Sequence, residues 1–198
     1  SGGLWYSFAG TGDIVTFSLC GSTFNTKLQI VTGACGAFTC VAGNDNFCGT
    51  QSEVQILTTS GTNYYIYVYG SGTAQGAFTL NTICTPPPPI PVNDNCDAAT
   101  VVIPDDDGTC TQITPGTIAG ATASSQANAC AGTADDDVWF SFVATQTSHT
   151  VQLLNIAGST IGLNHAVYEA TDITNPCGTL NQIMCSVPVL STNYGLVI

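Results

Sequence analysis

A repeat within the chain limits it to folds that contain two copies of one unit. Three motifs recur in the same order about 130 residues apart, which is the length of a small domain. Leu4–Phe8 recurs as Val138–Phe142, Cys35-Gly36 as Cys177-Gly178, and Thr62–Tyr64 as Thr192–Tyr194. We therefore expect two related domains in tandem.

A proline-rich segment separates the two copies. Pro86–Pro89 are four consecutive prolines, followed by Ile90 and Pro91. Proline has no N–H to donate to a sheet and favours an extended polyproline II spacer. We predict a first domain at residues 1–84, a linker at 85–92 and a second domain at 93–198. The alternative is a proline-rich loop within one domain.

Each copy is expected to be incomplete. The Trp5 motif comes at the start of the first copy, whereas the Trp139 motif comes well inside the second, so about 45 residues are missing from the first. The second copy stops within a strand and lacks a counterpart of Tyr69–Cys84. Two explanations stay open: the sequence is a window on a longer repeat protein, or neighbouring subunits complete each other by strand addition into an elongated assembly.

Alternation of polar and apolar residues predicts short antiparallel strands in both copies. Glycine-rich turns such as Gly10–Gly12 and Ser60-Gly61 separate them. This pattern is typical of all-β proteins and predicts two antiparallel β-sandwiches. The predicted strands are Ile14–Leu19, Lys27–Val31, Glu53–Ile56, Tyr64–Tyr69, Ala77–Ile83, Thr117–Thr122, Val138–Val143, Thr150–Leu154, Ala166–Glu169 and Tyr194–Ile198.

The charge of the chain excludes two classes of partner. Net charge is −12, and Lys27 is the single Lys or Arg residue. Nucleic-acid binding needs several basic side chains to displace counterions from phosphates, so we expect no nucleic-acid partner. An acidic protein is also repelled by anionic membrane surfaces. Because no apolar run reaches about 18 residues, we expect no membrane insertion.

Ten cysteines without zinc-type spacing predict disulfides and an extracellular location, either secreted or at the cell surface. Local spacing in the sequence suggests one scheme. Cys84 and Cys96 lie at opposite ends of the linker, and each is expected to pair with a cysteine outside this sequence. The four predicted pairs are Cys35–Cys40, Cys20–Cys48, Cys110–Cys130 and Cys177–Cys185.

Several stretches together resemble a known family. The chain is similar to the tandem β-sandwich modules of very large secreted bacterial surface proteins, relatives of the pre-peptidase C-terminal domain. The resemblance implies a jelly-roll-like sandwich, export to the cell surface and a non-catalytic role. Some relatives bind calcium or a polymer such as collagen or polysaccharide. The motifs that carry it are Asn93–Ala99, Thr117–Thr122, Asp137–Phe142, Cys35–Val41, Gly43–Cys48, Gly61–Val68 and Gly76–Leu80.

Clusters of oxygen-bearing side chains are candidate calcium sites, although no cofactor is required by the sequence. Calcium takes six to eight oxygen ligands, and adjacent carboxylates repel one another unless a cation lies between them. The alternative is a set of solvated turns, which Pro104 and Gly108 favour for Asp105–Asp107. The candidate ligands are Asp135, Asp136, Asp137, Asn44, Asp45 and Asn46.

Three tyrosines form a candidate binding face. Tyr65, Tyr67 and Tyr69 alternate with Tyr64, Ile66 and Val68 along one predicted strand, so they share one face of it. Such a face can stack on sugars or pack against a partner. The alternative is that these rings shield the sheet or face the core.

No catalytic residues are recognisable, so we expect a protein that is not an enzyme. His149 and His165 have no accompanying serine or aspartate pattern. We expect a structural module of an extracellular bacterial adhesin or filament that associates with copies of itself, with polysaccharide or host protein as further candidate partners. The alternative is a carbohydrate- or protein-binding accessory domain of a secreted hydrolase.

Overall fold

The computed structural model describes residues 2–105, 107, 109, 111–126, 135–158 and 162–186, together with the backbone of 194–197. The chain divides into two compact units, Ser1–Pro87 and Pro88–Ile198. The regular structure of the described residues is β-strand, apart from two single 3-10 turns at Cys96–Ala98 and Pro176–Gly178. The all-β class expected from the alternating sequence is confirmed.

The first unit contains two antiparallel sheets. The larger sheet has the order β1-β6-β3-β4, and the smaller one has the order β5-β2-β7. Their strands, numbered in chain order, are β1 (Gly3–Ala9), β2 (Ile14–Ser18), β3 (Thr26–Ala34), β4 (Ala37–Asn44), β5 (Glu53–Leu57), β6 (Asn63–Gly70) and β7 (Asn81–Thr85).

The facing sides of these two sheets form one hydrophobic core. Burial alternates along β6, where Tyr64, Ile66 and Val68 are buried and the residues between them are partly exposed. Phe17 of β2 and Ile30 of β3 lie in the same core. Alternation with period two therefore gives each strand one core-facing and one outer side, as the sequence pattern predicts.

The hairpin of β3 and β4 is closed by Cys35-Gly36. Gly36 has a φ of 91°, in the left-handed region that glycine adopts without steric cost. A β-bulge interrupts the ladder between Ile30 and Val31, because Ile30 pairs with Ala42 whereas Val31 pairs with Cys40. The bulge leaves Val41 as the extra residue of β4.

The described residues of the second unit form three separate strand pairs. β8 and β9 are parallel, whereas β10–β13 and β11–β12 are antiparallel. The parallel pair departs from the purely antiparallel arrangement expected from the sequence. The strands are β8 (Thr100–Val101), β9 (Phe140–Ser141), β10 (Thr150–Leu153), β11 (His165–Ala170), β12 (Leu180–Ser186) and β13 (Tyr194–Val197).

Three predicted strands are wrong or shorter than expected, and of Val138–Val143 only Phe140–Ser141 is a strand. Thr117–Thr122 is not a strand, because it turns at Gly120 and the N–H and hydroxyl of Thr122 donate to the Asp94 carboxylate. A side-chain acceptor thus replaces a sheet partner. In Ala77–Ile83 the strand begins only at Asn81, although Phe78 and Leu80 pack against the core.

Strand pairing shows which elements of the two units are equivalent. β11–β12 carries a bulge between Val167 and Tyr168, matching the bulge of β3–β4. β10 pairs with β13 as β2 pairs with β5. The sequence analysis aligns Tyr194 with Tyr64 of β6. This alignment is wrong, because the strand that contains Tyr194, β13, corresponds to β5. Within the described residues the second unit has no counterpart of β6.

Candidate functional site

Cys20 and Cys48 are joined by a disulfide with a Cα–Cα distance of 5.9 Å. This is the pair expected from the sequence. Cys20 lies two residues after β2, and Cys48 lies in the loop after β4, so the bond fixes that loop near the end of β2. Closing a loop of 28 residues stabilises the fold by about 3.5 kcal/mol in the chain-entropy description.

The predicted pair Cys35–Cys40 is wrong, because both thiols are free and exposed. Cys35 lies in the hairpin turn, whereas Cys40 is paired with Val31 further along the ladder. At roughly 3.3 Å per strand residue, Cys40 lies about 10 Å beyond Ala37. A disulfide needs Cα atoms within about 7 Å of each other, and the hairpin geometry separates these two by more than that.

In the second unit, Cys177 is bonded to Cys96 at a Cα–Cα distance of 5.8 Å. The predicted pair Cys177–Cys185 is therefore wrong, although Cys185 is also disulfide-bonded. Cys96 also has its partner within this unit, against expectation, whereas Cys84 is free. Cys96 and Cys177 each lie in a 3-10 turn, and the bond joins these turns. The predicted pair Cys110–Cys130 lies outside the described residues.

The outer face of the larger sheet carries a continuous aromatic cluster. We define the aromatic surface as Trp5, Phe38, Tyr65, Tyr67 and Tyr69. Tyr67 lies between two rings, with centroid distances of 4.4 Å to Trp5 and 4.7 Å to Tyr69. Phe38 contacts Trp5 and Tyr65, each at 5.3 Å. The three predicted tyrosines thus share one outer face, and sequence reasoning missed Trp5 and Phe38.

The register explains why these five residues meet. Trp5 of β1 pairs directly with Tyr67 of β6, and Tyr65 pairs with Val31 of β3. Val31 lies on this outer side but is only 4% exposed. Trp5 remains 50% exposed and the other four rings are partly exposed, so the aromatic surface is accessible to solvent. Exposed clusters of this kind mark binding sites for sugars or proteins.

A shallow depression of about 340 Å³ lies at one end of the aromatic surface, between Tyr69, Gln29 and Cys40. Its rim holds an ion pair, with Lys27 Nζ 3.0 Å from Asp45 Oδ2. A hydrogen bond and the charge of Asp45 raise the pKa of Lys27 above its ordinary 10.5. The depression therefore combines one aromatic ring with charged and amide groups.

Asn44–Asn46, two of which line this depression, are a predicted calcium site. Asn44 Oδ1, Asp45 Oδ1 and Asn25 Oδ1 are buried atoms without hydrogen-bond partners in the described part of the chain. Asn46, in contrast, is exposed. Lys27 already supplies a positive charge to Asp45, which lowers the attraction of the loop for a second cation. Calcium binding by Asn44, Asp45 and Asn46 stays a prediction.

The second predicted calcium site is Asp135–Asp137. Desolvation, and then the charge of Asp135, raise the pKa of Asp136. Asp137 accepts a hydrogen bond of 2.9 Å from the Ser124 N–H. Over the described ranges, no group of three or more His, Cys, Asp or Glu side chains is arranged to hold a metal ion. Calcium at this triplet also stays a prediction.

In the third acidic cluster, Asp105 and Asp107 accept hydrogen bonds from their own loop. Asp105 accepts a hydrogen bond of 2.9 Å from the Gln112 N–H. Asp107 accepts hydrogen bonds from the N–H and the hydroxyl of Thr109, which lower the pKa of Asp107. These contacts are typical of a turn stabilised by aspartate side chains.

One edge of the first unit is open. β1 is the terminal strand of its sheet and pairs only with β6 among the described strands. Leu4 and Tyr6 have the core-facing parity of β1, since they pair with the buried residues Val68 and Ile66. Nevertheless Leu4 is 56% and Tyr6 is 40% exposed. The core-facing side of β1 is therefore exposed to solvent, and this terminal strand is a template for a further strand.

No helix in the described ranges combines the length and the apolar character needed to cross a membrane. Comparison of the chain with models of known protein families, with curated proteins and with solved structures found no match in any of the three.

Proposed function

We propose that the chain is a non-catalytic structural module of an extracellular bacterial adhesin or filament, which joins further modules of its kind through repeats or strand complementation. The observation that carries this proposal is the open edge of β1, where Leu4 and Tyr6 are exposed although they lie on the core-facing side of the strand. The disulfides Cys20–Cys48 and Cys96–Cys177 support an oxidising compartment outside the cell. The family resemblance supports the bacterial surface.

Assembly is tested by measuring the mass of the chain over a wide concentration range, by light scattering and electron microscopy. We expect elongated oligomers that grow with concentration, because unpaired strand edges and uncovered apolar side chains associate. Ser7→Lys places a charge on the edge strand and should reduce assembly, whereas Thr16→Lys on β2, the central strand of the smaller sheet, is the matched control. A chain that stays monomeric at every concentration, with no interaction with other modules, contradicts the proposal.

A second candidate is a carbohydrate- or protein-binding accessory domain of a secreted hydrolase, and the aromatic surface favours it. Flat aromatic rings stack on the apolar faces of sugars. The test is retention on insoluble polysaccharides and on extracellular-matrix proteins. Trp5→Ala should abolish retention, whereas Ile83→Ala removes an exposed apolar side chain from the other sheet and should leave it unchanged. Equal retention of both variants contradicts a role for the aromatic surface.

A further inference from the structure

We infer that the open edge of β1 binds an extended segment of another repeat with the residue pattern of Asn93–Val102, running parallel to β1, and that Cys35 forms a disulfide with the cysteine of that segment. This inference rests on the proposed role in module assembly and names the partner at the open edge. It is carried by the second unit, where the equivalent strand has such a segment beside it.

The backbone of β1 offers its hydrogen-bonding groups to that segment. Ser71 N–H donates to Asn25 O, so the odd-numbered residues of β6 bond to β3 in this antiparallel ladder. The even-numbered residues of β6 then bond to β1. The hydrogen bond from Gly10 N–H to Thr62 O continues this pattern. The N–H and C=O groups of Trp5 and Ser7 consequently point away from β6, toward the open edge.

The second unit shows what occupies the equivalent edge. Trp139 and Ser141 match Trp5 and Ser7 in the sequence repeat. Their carbonyl oxygens accept hydrogen bonds from Thr100 N–H at 3.0 Å and Val102 N–H at 2.7 Å. These are the same alternate positions that point outward in β1. The strand pair formed there, β8–β9, is parallel.

Asn93 adds contacts that fix the register of the segment. Trp139 N–H donates to Asn93 O at 2.8 Å, and Asn93 Nδ2 donates to Trp139 O at 2.8 Å. Asn93 is itself buried. A segment at the open edge of the first unit would make the same contacts with the N–H and C=O of Trp5.

The free thiol of Cys35 is the second observation. Cys35-Gly36 closes the hairpin β3–β4, and Cys177-Gly178 lies between β11 and β12, the hairpin with the matching bulge. Cys177 is bonded to Cys96, three residues after Asn93 in the covering segment. Cys35 is exposed and unbonded. The segment that covers β1 would therefore bring a cysteine to Cys35, as Cys96 is brought to Cys177.

The occupant is a segment of a further repeat and not Asn93–Val102 of a second copy of this chain. That segment is already held in its own unit by the Cys96–Cys177 disulfide and by its hydrogen bonds to β9. Releasing it would break all of these contacts, whereas a segment outside this sequence has no such cost. Cys35 would pair by thiol–disulfide exchange, in which a donor disulfide accepts two electrons and leaves as two thiols.

The test uses the full chain and a synthetic peptide of residues 92–103, with its cysteine carried as a mixed disulfide with glutathione. The Cys35 thiolate attacks the peptide sulfur, so that a Cys35–peptide S–S bond forms while the peptide–glutathione bond breaks and glutathione leaves as its thiolate. No net oxidant is needed. Mass spectrometry of the digested product locates the new bond, and Cys40 and Cys84, which are also exposed and free, are internal controls.

We expect the peptide to react with Cys35 at least about tenfold faster than the same peptide carrying Thr100→Pro and Val102→Pro, which lacks the two N–H donors. A peptide with Cys96→Ser should still slow hydrogen exchange of the Trp5 amide, because that readout needs no disulfide. Equal labelling of the three thiols, or equal rates for both peptides, overturns the inference. If the chain nevertheless assembles in light scattering, the proposed function stands and only this partner is wrong.

Discussion

Cys96 and Cys177, which are 81 residues apart in the sequence, are joined by a disulfide that links the two 3-10 turns of the second unit. Among the described strand pairs of this unit, β8–β9 has two residues on each side. The disulfide therefore joins a turn next to β8 to a turn between β11 and β12, which belong to separate described strand pairs.

We predict that Cys177→Ser lowers the free energy of unfolding of the second unit by up to about 4.5 kcal/mol, because a loop of this length loses much entropy on closure. The measurement is urea unfolding followed by Trp139 fluorescence in a Trp5→Phe background. Cys84→Ser, at an exposed free thiol, is the control and should change nothing. An unchanged midpoint in Cys177→Ser would show that the bond does not stabilise this unit.

Stacking of Trp5 on Tyr67 gives a second prediction, for the first unit. Aromatic pairs contribute about 0.5–1.5 kcal/mol beyond the area they bury, so a double-mutant cycle of Trp5→Ala and Tyr67→Ala should show coupling of about 1 kcal/mol. Tyr67→Phe keeps the ring and should keep the coupling. Strictly additive single substitutions would mean that the 4.4 Å contact contributes nothing.

The pH dependence of Lys27 follows from its ion pair with Asp45. The folded pKa of Lys27 is raised above 10.5, so the ion pair contributes its full stability below that pH and loses it as pH rises through the folded pKa. Since Lys27 is the single lysine of the chain, one carbon-13 signal at Cε reports its titration directly. In Asp45→Asn the pKa should return toward 10.5, and an identical titration in both proteins would argue against the ion pair.

Calcium binding by Asp135–Asp137 would be visible in the melting temperature. The raised pKa of Asp136 shows that its charge is unfavourable here, so Asp136→Asn should stabilise the calcium-free protein. If the triplet holds calcium, chelator should lower the melting temperature of the natural sequence but not that of Asp136→Asn. Asp172→Asn is the control, since Asp172 accepts hydrogen bonds from Thr174 of its own loop. An unchanged melt in excess chelator would leave the triplet as a solvated turn.

The tyrosines of β6 show which features can be predicted from the local sequence pattern. Alternation predicted that Tyr65, Tyr67 and Tyr69 share a face, and the structure places them together on the outer side of the sheet. It could not reveal that Trp5 and Phe38 complete the aromatic surface. Those residues come from β1 and β4, and only the order β1-β6-β3-β4 brings them to β6.

One of the three motifs that define the repeat is matched to the wrong strand by the sequence. The match of the Trp5 motif with the Trp139 motif stays a prediction, but the match of Tyr64 with Tyr194 fails because β13 pairs with β10 and so corresponds to β5. A three-residue similarity carries little information, whereas a ladder register fixes equivalence residue by residue. The correction changes which strand the described part of the second unit lacks.

The sequence by itself determined the all-β class, the repeat, the acidic charge and the local disulfide Cys20–Cys48, because strand alternation, turn residues and composition act over short distances. Tertiary structure decided the strand order, the open edge at β1 and the pairing of Cys96 with Cys177. Bonds between cysteines depend on the distance between their Cα atoms, and spacing along the chain does not give that distance once a strand separates two nearby residues or a fold joins two distant ones. The β3–β4 hairpin keeps Cys35 and Cys40 apart although they are close in sequence. The fold of the second unit brings Cys96 and Cys177 together although they are far apart in sequence.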